Sequence, residues 1–148
     1  MINNKHIKEA NLNDIDSLSK LSNSLLPFLF KKELPQWFIN DISAESFKER
    51  LLSKEYRFFK YIIDDKIVGF ISIKDNNQIF HLFVDCLYHK KGIAKKLWEY
   101  VKTLPEIKIV KVNSSLYAID VYSSFGFIKD GEQKFYLGLK YQPMIIDK

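Results

Sequence analysis

Three lysines around one glycine are the residues whose spacing first points to chemistry. Lys90, Lys91, Gly92 and Lys95 lie in the run Val84-Asp85-Cys86-Leu87-Tyr88-His89-Lys90-Lys91-Gly92-Ile93-Ala94-Lys95-Lys96-Leu97. Before it, Phe80-His81-Leu82-Phe83-Val84 reads as a strand; after it, Ile93, Leu97 and Val101 recur at helical spacing. A strand, a tight polar loop and a helix start therefore follow one another. Unpaired N–H groups at a helix N-terminus, at the positive end of the helix dipole, form a phosphate site. Gly92 lets the backbone approach such a ligand, Ala94 is small enough not to block it, and the lysines add charge. Local sterics alone explain a glycine at a helix start equally well. The run is neither a Gly-x-x-x-x-Gly-Lys-Ser/Thr phosphate loop nor a three-glycine dinucleotide fingerprint.

Other reactive side chains are few. His6, His81 and His89 lack metal-ligand spacing, so no metal is expected. Cys86 is the single cysteine, which rules out an intrachain disulfide and suits a reducing cytoplasm. Tyr122 falls on an amphipathic pattern, and by its surroundings alone it reads as core.

A second run changes that reading. Val112-Asn113-Ser114-Ser115-Leu116-Tyr117-Ala118-Ile119-Asp120-Val121-Tyr122-Ser123-Ser124-Phe125-Gly126-Phe127 follows the first at one intervening element. Together the two runs resemble the signatures of the GNAT superfamily of N-acetyltransferases. His89-Lys90-Lys91-Gly92-Ile93-Ala94 is similar to its Gln/Arg-x-x-Gly-x-Gly/Ala pyrophosphate loop. Asn113 through Phe127 is similar to its Asn/Ser-x-x-Ala-x-x-x-Tyr-x-x-x-Gly-Phe helix. His89 departs from the usual Gln or Arg.

The resemblance implies acetyl-CoA as acyl donor and an amine of a small molecule or peptide as acceptor, joined by direct attack in a ternary complex. It implies that Leu82, Phe83 and Val84 contact the pantetheine arm. His89, Lys90, Lys91, Gly92, Ile93, Ala94 and Lys95 would cradle the pyrophosphate, Ser115 takes the place of an Asn that contacts the pantetheine, and Asn113 also belongs to the CoA site. An acyl carbonyl against a strand N–H would be polarised without any side chain. Tyr122 matches the tyrosine that assists the departing thiolate. A phenol of pKa ~10 facing a thiol of ~8.5 makes full proton transfer uphill by about 2 kcal/mol, which favours a strengthening hydrogen bond. His81 is the candidate base, with Asp85, Glu33 and water as alternatives. Cys86 is not assigned as a nucleophile. The competing readings are a non-catalytic CoA-binding sensor and a basic nucleic-acid-binding domain.

Around these residues the pattern sets out the elements that must position them. Ile7–Leu12 reads as a first strand, and Asn13 caps a helix that Pro27 ends. Pro27–Asp41 is a loop or broken helix with Phe28, Phe30, Trp37 and Phe38, aromatics suited to an apolar or cationic amine. Ser43 caps a second helix. Tyr56–Ile63, Lys66–Lys74 and Gln78–Val84 form an antiparallel meander. Ile107–Val112 is a strand, Ser115–Phe125 a helix with Gly126 at its end, and Gln133–Tyr141 a last strand. The order β-α-α-β-β-β-α-β-α-β-β predicts a single α+β (mixed α/β) domain over 1–148. Its mostly antiparallel sheet is flanked by helices, and the strands around the Gly92 helix are parallel.

The bulk properties agree with a soluble enzyme. The 148 residues are 47% hydrophobic and 28% charged, with a formal charge of +5. No apolar run approaches the ~20 residues of a membrane span, and Met1–His6 lacks a secretory core. Arginine occurs only at Arg50 and Arg57, a poor supply for reading base edges. No nucleic acid, no membrane, a cytoplasmic location and a monomer or homodimer are expected.

Overall fold

The computed structural model describes residues 4–29 and 34–146. Strand β1 (Ile7–Glu9) stops short of Leu12, because Asn11 turns the chain. The Asn11 side chain accepts the Asn13 N–H, and Asp14 accepts the Asn11 N–H, each at 2.9 Å. This reciprocal cap, two residues earlier than expected, leads through a 3-10 turn into α1 (Ile15–Leu29). The helix runs past Pro27 instead of ending there. Pro27 lies in the last turn, where its missing N–H forfeits a single ladder bond, and buried Leu18, Leu21 and Leu25 hold the helix down.

Helix α2 (Gln36–Asp41) lies within the expected broken stretch, and α3 (Ala44–Leu52) starts where Ser43 Oγ accepts the Ser46 N–H at 3.3 Å. The antiparallel meander β2 (Tyr56–Ile63), β3 (Lys66–Lys74) and β4 (Gln78–Val84) has the bounds expected of it. Its turns place Asp64, Asp65, Asp75 and Asn76 at positive φ, which Asp and Asn tolerate. Helix α4 (Ile93–Lys102) then crosses to β5 (Lys111–Ser114), parallel to β4.

The C-terminal third departs most from the pattern. Ile107 and Ile109 are buried, yet the chain there is no strand: Lys108 and Val110 donate to the carbonyls of Asn76 and Asn77. Helix α5 (Ile119–Ser124) is shorter than expected, with a turn closed by Ala118 N–H on the Ser115 carbonyl before it. After β6 (Ile128–Lys129), the expected last strand is a hairpin of β7 (Lys134–Tyr136) and β8 (Leu139–Ile145), turning at Leu137-Gly138.

The sheet order is β1-β2-β3-β4-β5-β8-β6, with β7 on β8. One core lies beneath α4 and α5, the other beneath α1 and α3. Gly69 on β3 is needed for the first. A Cβ there would lie 3.1 Å from the Phe83 carbonyl and 3.3 Å from Ile93, so only glycine lets α4 seat against the sheet.

Candidate active site

The site begins with two irregularities of β4. First, Ser72 pairs with His81 but Ile73 pairs with Ile79, leaving Phe80 as an extra, bulged residue. The bulge reverses the alternation. Ile79, Leu82 and Val84 pack on the α4 face, while His81 and Phe83 join the aromatic core under α1 and α3. Second, β4 and β5 pair only at Gln78–Lys111 and Ile79–Val112, after which they part. The gap exposes the backbone of Leu82, Phe83 and Val84 from its β5 side.

A cavity of about 600 Å³ occupies one side of this gap, lined among others by Leu82, Phe83, Val84, Gly92, Ala94 and Tyr122. At its polar end stands the loop into α4. Lys90 and Gly92 both adopt left-handed backbone, φ 65° and 76°, so the chain winds its amides toward one side before the helix begins. The first intrahelical bond is Lys96 N–H to the Gly92 carbonyl at 3.0 Å, so the amides of Ile93, Ala94 and Lys95 have no partner in the helix. A Cβ built on Gly92 meets nothing within 4 Å, which leaves an open cradle there. His89, Lys90, Ile93 and Lys95 also border the cavity. His89 is tied back, its Nε2–H donating to the Val84 carbonyl at 2.7 Å, which pins the loop to the end of β4. Lys91 does not border the cavity; its ammonium lies 5.9 Å from the ring of Tyr88, which does.

Tyr122 stands where this cavity meets a second. Its own carbonyl accepts the Phe127 N–H at 3.0 Å while Gly126 N–H reaches Ser123, and Gly126 takes φ +105°. This is a Schellman helix end, and the rings of Tyr122 and Phe127 pack at 5.7 Å as its apolar contact. The Gly-Phe pair thus fixes the tyrosine. Tyr122 is 5% exposed, and burial pushes its phenol well above its ordinary value, so it stays protonated across the neutral range.

The second cavity, about 570 Å³, shares Leu82, Phe83, Ala118 and Tyr122 with the first. Asn113 and Ser115, expected against CoA, line this cavity and not the first, as do Trp37 and Phe38 of the aromatic stretch. His81 forms part of its inner wall. The imidazole is boxed by Phe47, Phe58, Phe70, Phe80 and Phe83, with ring centroids 4.7–6.0 Å away, and Nδ1 hydrogen-bonds Ser72 Oγ at 2.7 Å. Burial, and secondarily the charge of Arg50, hold its pKa well below the ordinary value. His81 is therefore a neutral imidazole at pH 7.

The other base candidates stand apart from this geometry. Asp85 caps the 3-10 turn Cys86–Tyr88 by accepting the Leu87 N–H at 3.0 Å. Glu33 lies outside the described residues, as do Phe30 and the side chain of Phe28. Cys86, half-buried, borders the first cavity. Among the described residues no cluster of three or more His, Cys, Asp or Glu could hold a metal, and no helix is long and apolar enough to cross a membrane. Sequence reasoning missed Leu25, Tyr88 and Val121 in the first cavity and Tyr136 and Tyr141 in the second. For the last two the sequence carries only Gly138 as a turn signal, since Leu137 beside it gives none.

The acetyltransferase (GNAT) domain family matches residues 25–148. Among solved structures, the fold is similar to PaiA N-acetyltransferase from Thermoplasma acidophilum, in complex with coenzyme A. That match has a TM-score of 0.74 and 15% identity, over 93% of this chain and 96% of that one. It is also similar to an acetyltransferase of the GNAT family from Staphylococcus aureus Mu50, with a TM-score of 0.71 and 23% identity, over 95% and 98% of the two chains. An aminoglycoside acetyltransferase from an uncultured soil metagenomic sample, in complex with sisomicin, matches with a TM-score of 0.62 and 20% identity, over 90% and 95%.

Proposed function

The chain belongs to the GNAT acetyltransferase family and is an acyltransferase; from that premise we propose that it moves an acetyl group from acetyl-CoA to an amine by direct attack. The observation that carries this reading is the junction of two cavities at Tyr122, beside the gap between β4 and β5. The cavity ending at the Gly92 loop suits the donor. The free amides of α4 and the side chains of Lys90 and Lys95 would hold its pyrophosphate, and the parted edge of β4 offers backbone to the pantetheine arm.

At the junction, a β4 N–H polarises the acyl carbonyl and stabilises the tetrahedral oxyanion. The amine nitrogen attacks the carbonyl carbon, the C–S bond breaks, and the thiolate leaves with the electron pair. Tyr122 donates a hydrogen bond to that sulfur. With its phenol raised further by burial, it keeps its proton while the thiolate forms, and the thiolate takes its proton from solvent. Asn113 and Ser115 serve the acceptor side in this arrangement, and His89 acts by pinning the loop.

The amine must arrive or become neutral before it attacks. His81 borders it as a neutral imidazole. The cation it would become as a base is disfavoured by five phenyl rings and by Arg50, so water in the open acceptor cavity is the better proton acceptor. The test is thiol release from acetyl-CoA against a broad panel of primary amines, with CoA affinity measured in parallel by calorimetry. Turnover of at least one amine supports the reading. Tight CoA binding with no turnover by any amine would replace it with a CoA-binding sensor.

A further inference from the structure

The acceptor cavity has a charge and shape of its own. Its outer end is closed by Trp37 of α2, whose indole N–H donates to the Leu137 carbonyl at 3.0 Å and whose ring meets Tyr136 edge-on at 5.0 Å. One helix is thereby fastened to the β7–β8 hairpin through an aromatic corner. Phe80, bulged out of β4, and Tyr141 of β8 extend the apolar wall inward.

The charges run the other way. Among the described residues, Asp41 is the only carboxylate bordering this cavity, and it is already ion-paired with Arg50. Arg50 also donates to the Asp41 backbone carbonyl at 2.8 Å and lies 4.7 Å from the centre of the Phe80 ring. Lys74, the one lysine on the wall, reaches to 6.0 Å from the same ring and pairs with no described acid. The wall is thus aromatic, its single described acid is engaged by Arg50 behind it, and Lys74 is left as the unpaired charge. Among the described residues, a ligand with several ammonium groups would find the Lys74 charge and no free carboxylate; a flat body with one amine would find rings.

We propose that this cavity selects a monoamine carrying a flat apolar body, of the arylalkylamine class, and turns away polyamines and other polycations. The proposal rests on the acyl-transfer reading above and deepens it.

Phenethylamine and spermidine serve as probes, with acetyl-CoA and thiol-release detection. The expected result is a kcat/KM for phenethylamine about tenfold or more above that for spermidine. Replacing Trp37 with Ala should raise KM for phenethylamine about tenfold while leaving KM for acetyl-CoA unchanged. Lys74→Glu should raise kcat/KM for spermidine more than that for phenethylamine and so narrow the ratio between them. Spermidine equal to or better than phenethylamine in the wild type overturns the proposal, as does a Trp37→Ala enzyme with unchanged phenethylamine KM. If CoA binds but neither amine turns over, the transfer reading fails separately. The selection is then read from each amine's shift of the thermal midpoint of the CoA complex. A shift by phenethylamine alone sustains the proposal; a shift by spermidine alone, by both equally or by neither ends it.

Discussion

Tyr122 lies at the junction of the cavities and His81 on the wall of the second, and burial acts on them in opposite directions. It raises the phenol, which keeps Tyr122 a donor, and lowers the imidazole, which keeps His81 neutral. A hydrogen bond to a developing thiolate is worth roughly 1.5–3 kcal/mol. Tyr122→Phe should therefore lower kcat by about 10- to 100-fold, with CoA affinity by calorimetry little changed. Unchanged turnover would remove the thiolate role. For His81 the prediction concerns stability. Its native pKa lies below 6.5, so as pH falls through 6.5 the unfolded chain takes up a proton that the native state refuses. Stability is thus full above that value and is lost on acidification, by up to about 1.4 kcal/mol per pH unit. Urea unfolding at pH 7.5 and 5.5 should show a larger loss for wild type than for His81→Gln, whose carboxylates titrate identically. Parallel losses would mean that His81 is charged in the native state.

At the scale of elements, two glycines do unlike work. Gly69 makes room: an added Cβ would meet backbone and Ile93 at 3.1–3.3 Å, so Gly69→Ala should cost about 1–3 kcal/mol of stability by denaturant titration. Gly92 meets nothing, but its φ of +76° disfavours any side chain, and the cradle it opens faces the donor cavity. Gly92→Ala should cost stability only about 1–2 kcal/mol, yet weaken CoA binding clearly. A variant with wild-type CoA affinity would show that the loop is not the pyrophosphate cradle. The Gly92 loop and the β2–β4 meander were legible because each rests on local chemistry: turn residues, a helix period, a glycine. The bulge at Phe80 was not, since it depends on pairing with Ser72 and Ile73, and it decides that His81 faces a phenyl cluster. The β7–β8 hairpin was hidden for a similar reason. Leu137 adopts φ 45°, a conformation its side chain does not advertise, and the acceptor wall at Tyr136 and Tyr141 stayed out of view with it.

At the scale of the whole molecule, the parting of β4 from β5 makes a prediction about kinetic order. The two cavities share Leu82, Phe83, Ala118 and Tyr122, so donor and acceptor can be seated together. A two-step route would need a nucleophile to carry the acyl group between them. Cys86 is the only thiol, and it lies half-buried on the donor side after the end of β4, away from the acceptor wall. An acyl group parked there would have to travel back past Phe83 to meet the amine. Direct attack avoids that transfer, and it requires both substrates to be bound before either product leaves. Initial rates measured over a grid of acetyl-CoA and amine concentrations should accordingly give intersecting double-reciprocal lines, and Cys86→Ser should keep kcat within about twofold of wild type. Parallel lines, with a burst of CoA release in the absence of amine, would indicate an acyl-enzyme and give Cys86 the role that the geometry withholds.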